Sequence, residues 1–213
     1  MSITVVIADD HAIVRAGLKL LLETQNDISV IGEADNGREA VKIVKKLSPR
    51  IAILDIAMPE LNGIETAIRL REAAPNTRVI ILSMYSTSEH IYRALQAGAL
   101  GYLLKESAGS EIIKAVRCIY AGRRYLSEKI GDTARFSDLD AAGKSPLESL
   151  SEREREVLQL VVEGKSSAEI AVSINLSPKT VETYRSRLMQ KLGVHDVAGL
   201  VKFSILHGLT GPE

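Results

Sequence analysis

The sequence predicts an α/β domain with a doubly wound, five-stranded parallel sheet, followed by a small all-α domain of four helices. Three observations predict it. Over residues 1–122, short aliphatic runs alternate five times with stretches of helical periodicity. That is the pattern of a parallel sheet covered by helices on both faces. Several of these runs stop abruptly at a charged or hydroxylated residue. From residue 148 onward the strand signal disappears, and only short capped helical segments remain.

The elements follow in order. Ile3 to Ala8 reads as a buried strand that ends in Asp9 and Asp10. Ile13, Leu18, Leu21 and Leu22 suggest a helix, and Ile28 to Ile31 a short strand. Gly37 to Leu47 carries Ala40, Val41, Ile43, Val44 and Leu47 at helical spacing, and Ser48-Pro49 stops it. Ile51-Ala52-Ile53-Leu54 is a buried strand closed by Asp55. A helix from Gly63 to Ala74 is stopped by Pro75. Arg78 to Ser83 is a fourth strand, and Ser88 to Ala97 a helix ended by Gly98. Tyr102 to Lys105 is a fifth strand, and Ser110 to Ala121 a fifth helix ended by Gly122.

Composition narrows the function classes. Hydrophobic residues make up 46% and charged residues 25% of the 213 positions, which is ordinary for a globular protein. Basic and acidic residues balance at 27 each, so any nucleic-acid signal has to be local. A single cysteine, Cys118, excludes an internal disulfide and a cysteine-rich metal site. It reads as a small core residue on a helix. No apolar run reaches the ~20 residues that span a bilayer. No basic leader precedes the first strand, so a cytoplasmic protein without a membrane partner is the expectation.

The polar residues at the strand ends carry the chemistry. Asp9 and Asp10, Asp55, Ser83 and Lys105 all fall at the carboxyl ends of parallel strands, where such sheets bind ligands. Singly, each has an ordinary reading: Asp10 as a helix cap, Lys105 as a solvated charge. Together they are a site. Three converging carboxylates repel one another unless a cation is present. Oxygen donors at an open site suit Mg²⁺, and a lysine adds a point charge for a phosphate. Asp55 is then a candidate nucleophile forming an acyl phosphate, with charge stabilisation from the metal and Lys105.

These residues resemble a two-component receiver domain. The matching features are Asp9-Asp10, Asp55 with Met58-Pro59 and Asn62-Gly63, Ser83 after an aliphatic strand, and Ala97-Gly98-Ala99 before Gly101-Tyr102-Leu103-Leu104-Lys105. The resemblance implies a flavodoxin-like strand order of 2-1-3-4-5 and an Asp55 phosphorylated by a sensor histidine kinase. It implies Mg²⁺ held by Asp10, Asp55 and the backbone carbonyl of Ala57, with Asp9 acting partly through water. It also implies that Ser83 and Tyr102 switch inward and Lys105 pairs with the phosphate. Many receivers have a cis proline after the lysine; Glu106 stands there instead, so no cis bond is expected. Tyr85, two residues beyond Ser83, is bulky enough to screen the phosphate from water.

Residues 123–147 break the pattern and read as a linker. Arg123 to Leu126 is expected to continue packing on the first domain, with a flexible tether beyond about Asp132. Residues 148–213 then form the second domain. Ser151 and Glu154 make a capping box for its first helix, and Ser166 to Glu169 open a second. Ser177-Pro178 starts a third helix that ends at Gly193, and Asp196 caps a fourth. The tight turn at Asn175-Leu176 suggests a helix-turn-helix. The third helix, Ser177 to Leu192, has four basic residues and one acid, whereas residues 148–213 have 8 basic and 9 acidic.

Val181, Tyr184, Leu188 and Leu192 are expected in its core; Lys179, Glu182, Thr183, Ser186, Arg187 and Gln190 face outward. Leu150 to Glu154, Glu163-Gly164-Lys165-Ser166, Leu176 to Glu182 and Lys191-Leu192-Gly193 resemble the LuxR-type helix-turn-helix. With the receiver, the whole chain resembles a NarL/FixJ-type response regulator. The resemblance implies base contacts from Glu182, Thr183 and Ser186, and phosphate contacts from Lys179, Thr180, Arg185, Arg187 and Lys191. It implies binding to double-stranded promoter DNA as a phosphorylated homodimer, often through the last helix, about Val197 to His207. Two rivals remain at this stage. A metal-dependent phosphohydrolase using an aspartyl phosphate would need an acid where Ala57 stands. A regulator indifferent to phosphorylation would keep the acidic residues for structure alone.

Overall fold

The computed structural model describes residues 2–131, 145–207 and 209. The part of the expected linker from 132 to 144 lies outside them. The chain divides into two compact units, residues 1–142 and 143–213.

In the first unit, strands and helices alternate as β1 (Ile3–Ala8), α1 (Ala12–Glu23), β2 (Ile28–Ala34), α2 (Gly37–Leu47), β3 (Ile51–Asp55), α3 (Gly63–Ala73), β4 (Arg78–Ser83), α4 (Ser88–Gln96), β5 (Gly101–Leu104) and α5 (Ala108–Tyr120). A short 3-10 turn, Lys105–Ser107, joins β5 to α5. The sheet is parallel, but it has six strands rather than five, in the order 2-1-3-4-5-6. The extra strand, β6 (Tyr125–Leu126), runs parallel to Gly101 and Tyr102 at the edge. Two residues are too few to show a period-two pattern, so the strand is set by the free edge of β5 rather than by its own sequence. The short helix α6 (Glu128–Gly131) follows it.

Side-chain alternation along the strands divides the core between the two faces of the sheet. Val6, Ala8, Ala52, Leu54, Val79, Ile81 and Tyr102 pack with residues of α2, α3 and α4. Val5, Ile7, Ile51, Ile53, Ile80, Leu82 and Leu103 pack with residues of α1 and α5. Each large apolar side chain fully buried in this way contributes about 1.5–3 kcal/mol. The helix read from Ile13, Leu18, Leu21 and Leu22 is present as α1, but its first apolar residue faces solvent. Ile13 is 88% exposed, while Leu18 and Leu22 are buried. Five residues separate Ile13 from Leu18, which places it about 140° round the helix from the buried stripe. Cys118 is half-buried at the margin of the second cluster.

Two helix starts are tightly specified. Asn36 and Asn62 cap α2 and α3 by accepting from the backbone N–H of Glu39 and Glu65. Gly63 opens α3 directly against the end of β3: a Cβ there would lie 2.1 Å from the carbonyl oxygen of Asp55. The absence of a side chain at Gly63 is what allows the turn after β3 to fold back over the strand end.

The second unit is all helical: a 3-10 turn (Pro146–Ser149), then α7 (Glu152–Val162), α8 (Ser167–Ser173), α9 (Pro178–Leu192) and α10 (Val197–Leu206). Capping boxes form at Ser151/Glu154 and Ser166/Glu169. Ser177 caps α9 with Pro178 in its first turn, and Gly193 closes it at φ 65°. Leu147, Leu150, Val157, Leu158, Val161, Ile170, Ile174, Val181, Leu188 and Leu200 form one core. Leu147, expected in the linker, belongs to that core.

Gly63→Ala is expected to destabilise the first unit by about 2–3 kcal/mol, because the clash is with backbone rather than a movable side chain. Urea unfolding followed by circular dichroism checks this; a variant within 0.5 kcal/mol of wild type, about the scatter of neutral surface changes, contradicts it.

Candidate functional site

The first candidate site is built at the carboxyl ends of β1, β3, β4 and β5. Asp9 and Asp55 are 0% and 2% exposed, and Asp10 stands beside them at the surface. Lys105 Nζ lies 2.9 Å from Asp9 Oδ2 and 2.9 Å from Asp55 Oδ2, so one ammonium bridges the acids of two neighbouring strands. Parallel pairing of β1 with β3, and of β3 with β4, fixes these ends side by side. Ser83 is fully buried at the end of β4. Its Oγ accepts a 2.9 Å bond from the N–H of Tyr85. Tyr102 is buried, and its hydroxyl donates to the carbonyl of Tyr85 at 2.7 Å. The Tyr85 ring stacks on His90 of α4, with centroids 4.6 Å apart. Ala57 is half-buried in the turn two residues past Asp55. The Lys105–Glu106 bond is trans.

Electrostatics follow from this crowding. Burial pushes the Asp55 carboxyl up to about 6, and the Asp9 and Asp10 charges push the same way against the attraction of Lys105. Burial also opposes the charge on Lys105, but Asp55 and Asp9 outweigh it and hold its pKa above the ordinary lysine value. Burial, reinforced by the Asp55 charge, raises the Tyr85 phenol.

The donor set fits a hard divalent cation. Donor atoms of Asp9, Asp10, His11 and Asp55 all lie within 4.8 Å of one another. Oδ2 of Asp9 and Oδ2 of Asp55 are buried, and neither accepts a well-formed hydrogen bond. The Lys105 ammonium offsets part of this buried charge, and oxygen donors grouped this closely suit a further hard cation. His11 is the member that sequence reasoning missed. Its Nδ1 is 2.7 Å from Asp10 Oδ1 and 3.2 Å from Asp9 Oδ1. Its position immediately after Asp9-Asp10 was the available signal.

The second candidate site is the outer face of α9. Lys179, Glu182, Thr183, Ser186, Arg187 and Gln190 are exposed, while Val181 and Leu188 are buried. Ser177, Lys179, Thr180, Thr183, Tyr184 and Arg187 line a shallow groove there. Two expected phosphate contacts also bond within the domain. Lys191 donates to Glu154 at 2.7 Å and to the carbonyl of Ser149 at 3.1 Å, tying the end of α9 to the start of α7. Arg185 is half-buried and donates to Ser167 Oγ of α8 at 2.9 Å. A nearly buried acid and a neighbouring hydroxyl draw these cations inward, which one-helix periodicity does not reveal. Thr180 shares a 2.8 Å bond with Ser177 at the helix start.

Fold and sites together define a receiver-type α/β domain joined to a helix-turn-helix domain. A family model described as "Response regulator receiver domain" matches residues 5–117. A second, "Bacterial regulatory proteins, luxR family", matches residues 148–204. "Response regulator UvrY" of Escherichia coli (strain K12) is 35% identical over 212 residues, covering 99% of this chain and 97% of its own. "Response regulator GacA" of Pseudomonas protegens is 33% identical over 207 residues, covering 97% of both chains. A solved structure of RcsB from Salmonella enterica serovar Typhimurium, bound to a promoter in the presence of the phosphomimetic BeF3⁻, has 28% identity and a TM-score of 0.66. That match covers 95% of this chain and 98% of the other. The chain belongs to the two-component response regulators with a LuxR-type DNA-binding domain. Among the described residues, no helix is long and apolar enough to cross a membrane.

The Glu154–Lys191 pair yields a pH prediction. Burial alone would raise the Glu154 carboxyl, but Lys191 and Ser151 overcome it and hold it below its ordinary 4.5. A depressed carboxylate stabilises the fold above the unfolded-state value and loses that contribution as pH falls through the folded value. Lys191→Ala is expected to destabilise the second unit at neutral pH by about 1–3 kcal/mol. The difference from wild type should shrink below pH 4.5, where the unfolded Glu154 begins to take up its proton. Thermal melts at about pH 7 and about pH 3.5 test this; an equal difference at both contradicts it.

Proposed function

We propose that this response regulator is switched by phosphorylation of Asp55 and binds promoter DNA through α9 as a dimer. The observation that carries the reading is the Lys105 bridge between Asp9 and Asp55 at a buried, otherwise poorly satisfied pair of acids. A sensor histidine kinase is the donor implied by the family. An Asp55 carboxylate oxygen attacks the phosphorus, the oxygen–phosphorus bond forms, and the bond to the donor imidazole nitrogen breaks. Lys105 offsets charge on the transferred group, and the Ser83 hydroxyl donates to a phosphoryl oxygen. Bound Mg²⁺, held by Asp10, Asp55 and the Ala57 carbonyl with Asp9 partly through water, would supply further positive charge. Ser83 and Tyr102 both contact the backbone of Tyr85, so that residue's backbone couples the hydroxyl facing the phosphate to the aromatic switch. An effect on DNA requires that phosphorylation favour one of two states differing in DNA affinity.

On the DNA side, Lys179, Thr180 and Arg187 are assigned to phosphates, and Glu182, Thr183 and Ser186 to base edges in the major groove. The basic residues give affinity that falls with salt. In the DNA complexes named for RcsB, one of them with a promoter, a homologous chain is bound to DNA, which supports the same use here.

The deciding experiment measures affinity for a selected DNA site with and without Mg²⁺ and a small phosphodonor, for wild type and Asp55→Ala. Tighter binding by wild type alone, and only when both are present, is expected. Equal binding in every condition would remove Asp55 from control of DNA binding. Tyr85→Ala is expected to shorten the lifetime of the phosphorylated form several-fold by opening the site to water; an unchanged half-life in a radiolabel decay assay contradicts the screening role.

A further inference from the structure

We propose that Ser167 and Arg185 are positioning residues that set the base specificity of Glu182 by holding its carboxylate from the neighbouring helix. The proposal rests on the reading of α9 as the DNA-reading helix and names what fixes one of its contacts.

The residues form a relay across two helices. Ser167 is the first residue of α8, and its Oγ donates to Glu182 Oε1 on α9. The same Oγ accepts a 2.9 Å bond from Arg185 Nη1, one turn along α9. Arg185 Nη1 is itself 3.8 Å from Glu182 Oε1. The Glu182 side chain is 61% exposed and that of Arg185 only 24%. Among the described residues, Oε2 of Glu182 has no hydrogen-bond partner, and it shares the open face of α9 with Lys179, Thr183 and Ser186.

Three physical consequences follow. A free glutamate on a helix surface samples many rotamers and must be ordered before it can read a base; the bond from Ser167 orders it beforehand. An uncompensated acid on a DNA-facing helix is repelled by phosphates; Arg185 supplies the opposing charge from beneath rather than from the interface. A carboxylate is acceptor-only, so the oxygen left open can pair with an exocyclic amino group, cytosine N4 being the usual match. The specificity of one base pair is then set partly by α8, a helix whose hydroxyl need not touch the DNA at all. The arrangement also turns the Arg185 guanidinium toward α8.

The test selects binding sites from randomised duplex DNA with the full chain under phosphodonor and Mg²⁺, comparing wild type with Ser167→Ala, Ser167→Thr, Arg185→Met and Glu182→Ala. Glu182→Ala should relax preference at one base pair by roughly tenfold, the order of one good base contact. Ser167→Ala should relax the same base pair by several-fold, leave the other positions sharp and leave the melting temperature of the second unit unchanged. Arg185→Met should do likewise, and Ser167→Thr, which keeps the hydroxyl, should restore the wild-type profile. The double variant Ser167→Ala/Glu182→Ala should match Glu182→Ala alone. A Ser167→Ala profile identical to wild type while Glu182→Ala is relaxed would overturn the positioning role and leave the Glu182 contact intact. Uniform weakening at all positions with a lowered melting temperature would show a structural bond only and would also overturn it. Absence of any sequence preference in wild type would overturn the DNA reading itself, and the proposal with it.

Discussion

A single ammonium group between two buried carboxylates is the constraint on which the first unit depends. Lys105 reaches Asp9 and Asp55 at equal distance, which requires β1, β3 and β5 to end at one level. Parallel pairing with aligned register provides that level. The pairing in turn requires strands apolar on both faces, because helices cover both. The aliphatic runs are therefore the means by which charges far apart in sequence are brought within contact distance, and the energetic burden of burying them falls on the cores either side. Gly63 belongs to the same constraint, since only a residue without Cβ can pass so close to the carbonyl of Asp55.

Much of this was legible in the sequence, and what was not has identifiable causes. Strand ends announced themselves because an aspartate, serine or lysine after four aliphatic residues interrupts an otherwise continuous pattern. The second unit was legible from caps: Ser151, Ser166, Ser177 and Asp196 each start a helix. β6 was not, because two residues carry no periodicity. His11 was not, because its role depends on where the chain turns after Asp10. The inward pull on Arg185 and Lys191 was hidden because the partners, Ser167 and Glu154, lie on other helices. Periodicity reports which face of a helix a residue occupies, and it is silent on what a long side chain reaches once there.

The two sites use acids in opposite ways. At the strand ends, carboxylates are buried and crowded until they want a cation, and burial lifts Asp55 to about 6. On α9, an acid is left largely in solvent but tethered through one oxygen. The first arrangement suits chemistry at the carboxylate itself; the second suits recognition, where the group must be presented rather than transformed. Both depend on a cation in direct or near contact, Lys105 in one case and Arg185 in the other.

The short strand β6 has a consequence for how this molecule can be divided. Without it, the backbone of β5 would be an open sheet edge, the kind of surface that recruits strands from other chains. β6 covers Gly101 and Tyr102, and Ser127 adds a bond to the Tyr102 carbonyl at 2.9 Å. Glu111 of α5 then gathers the Tyr125 and Ser127 hydroxyls and the Glu128 N–H, clasping the covering segment in place. The segment that seals the sheet thus comes after the last helix of the alternating pattern. A fragment ended at residue 122 would keep every acid of the strand-end site yet expose a sticky margin, so an intact site and a well-behaved molecule would part company at a boundary drawn from the alternating pattern alone.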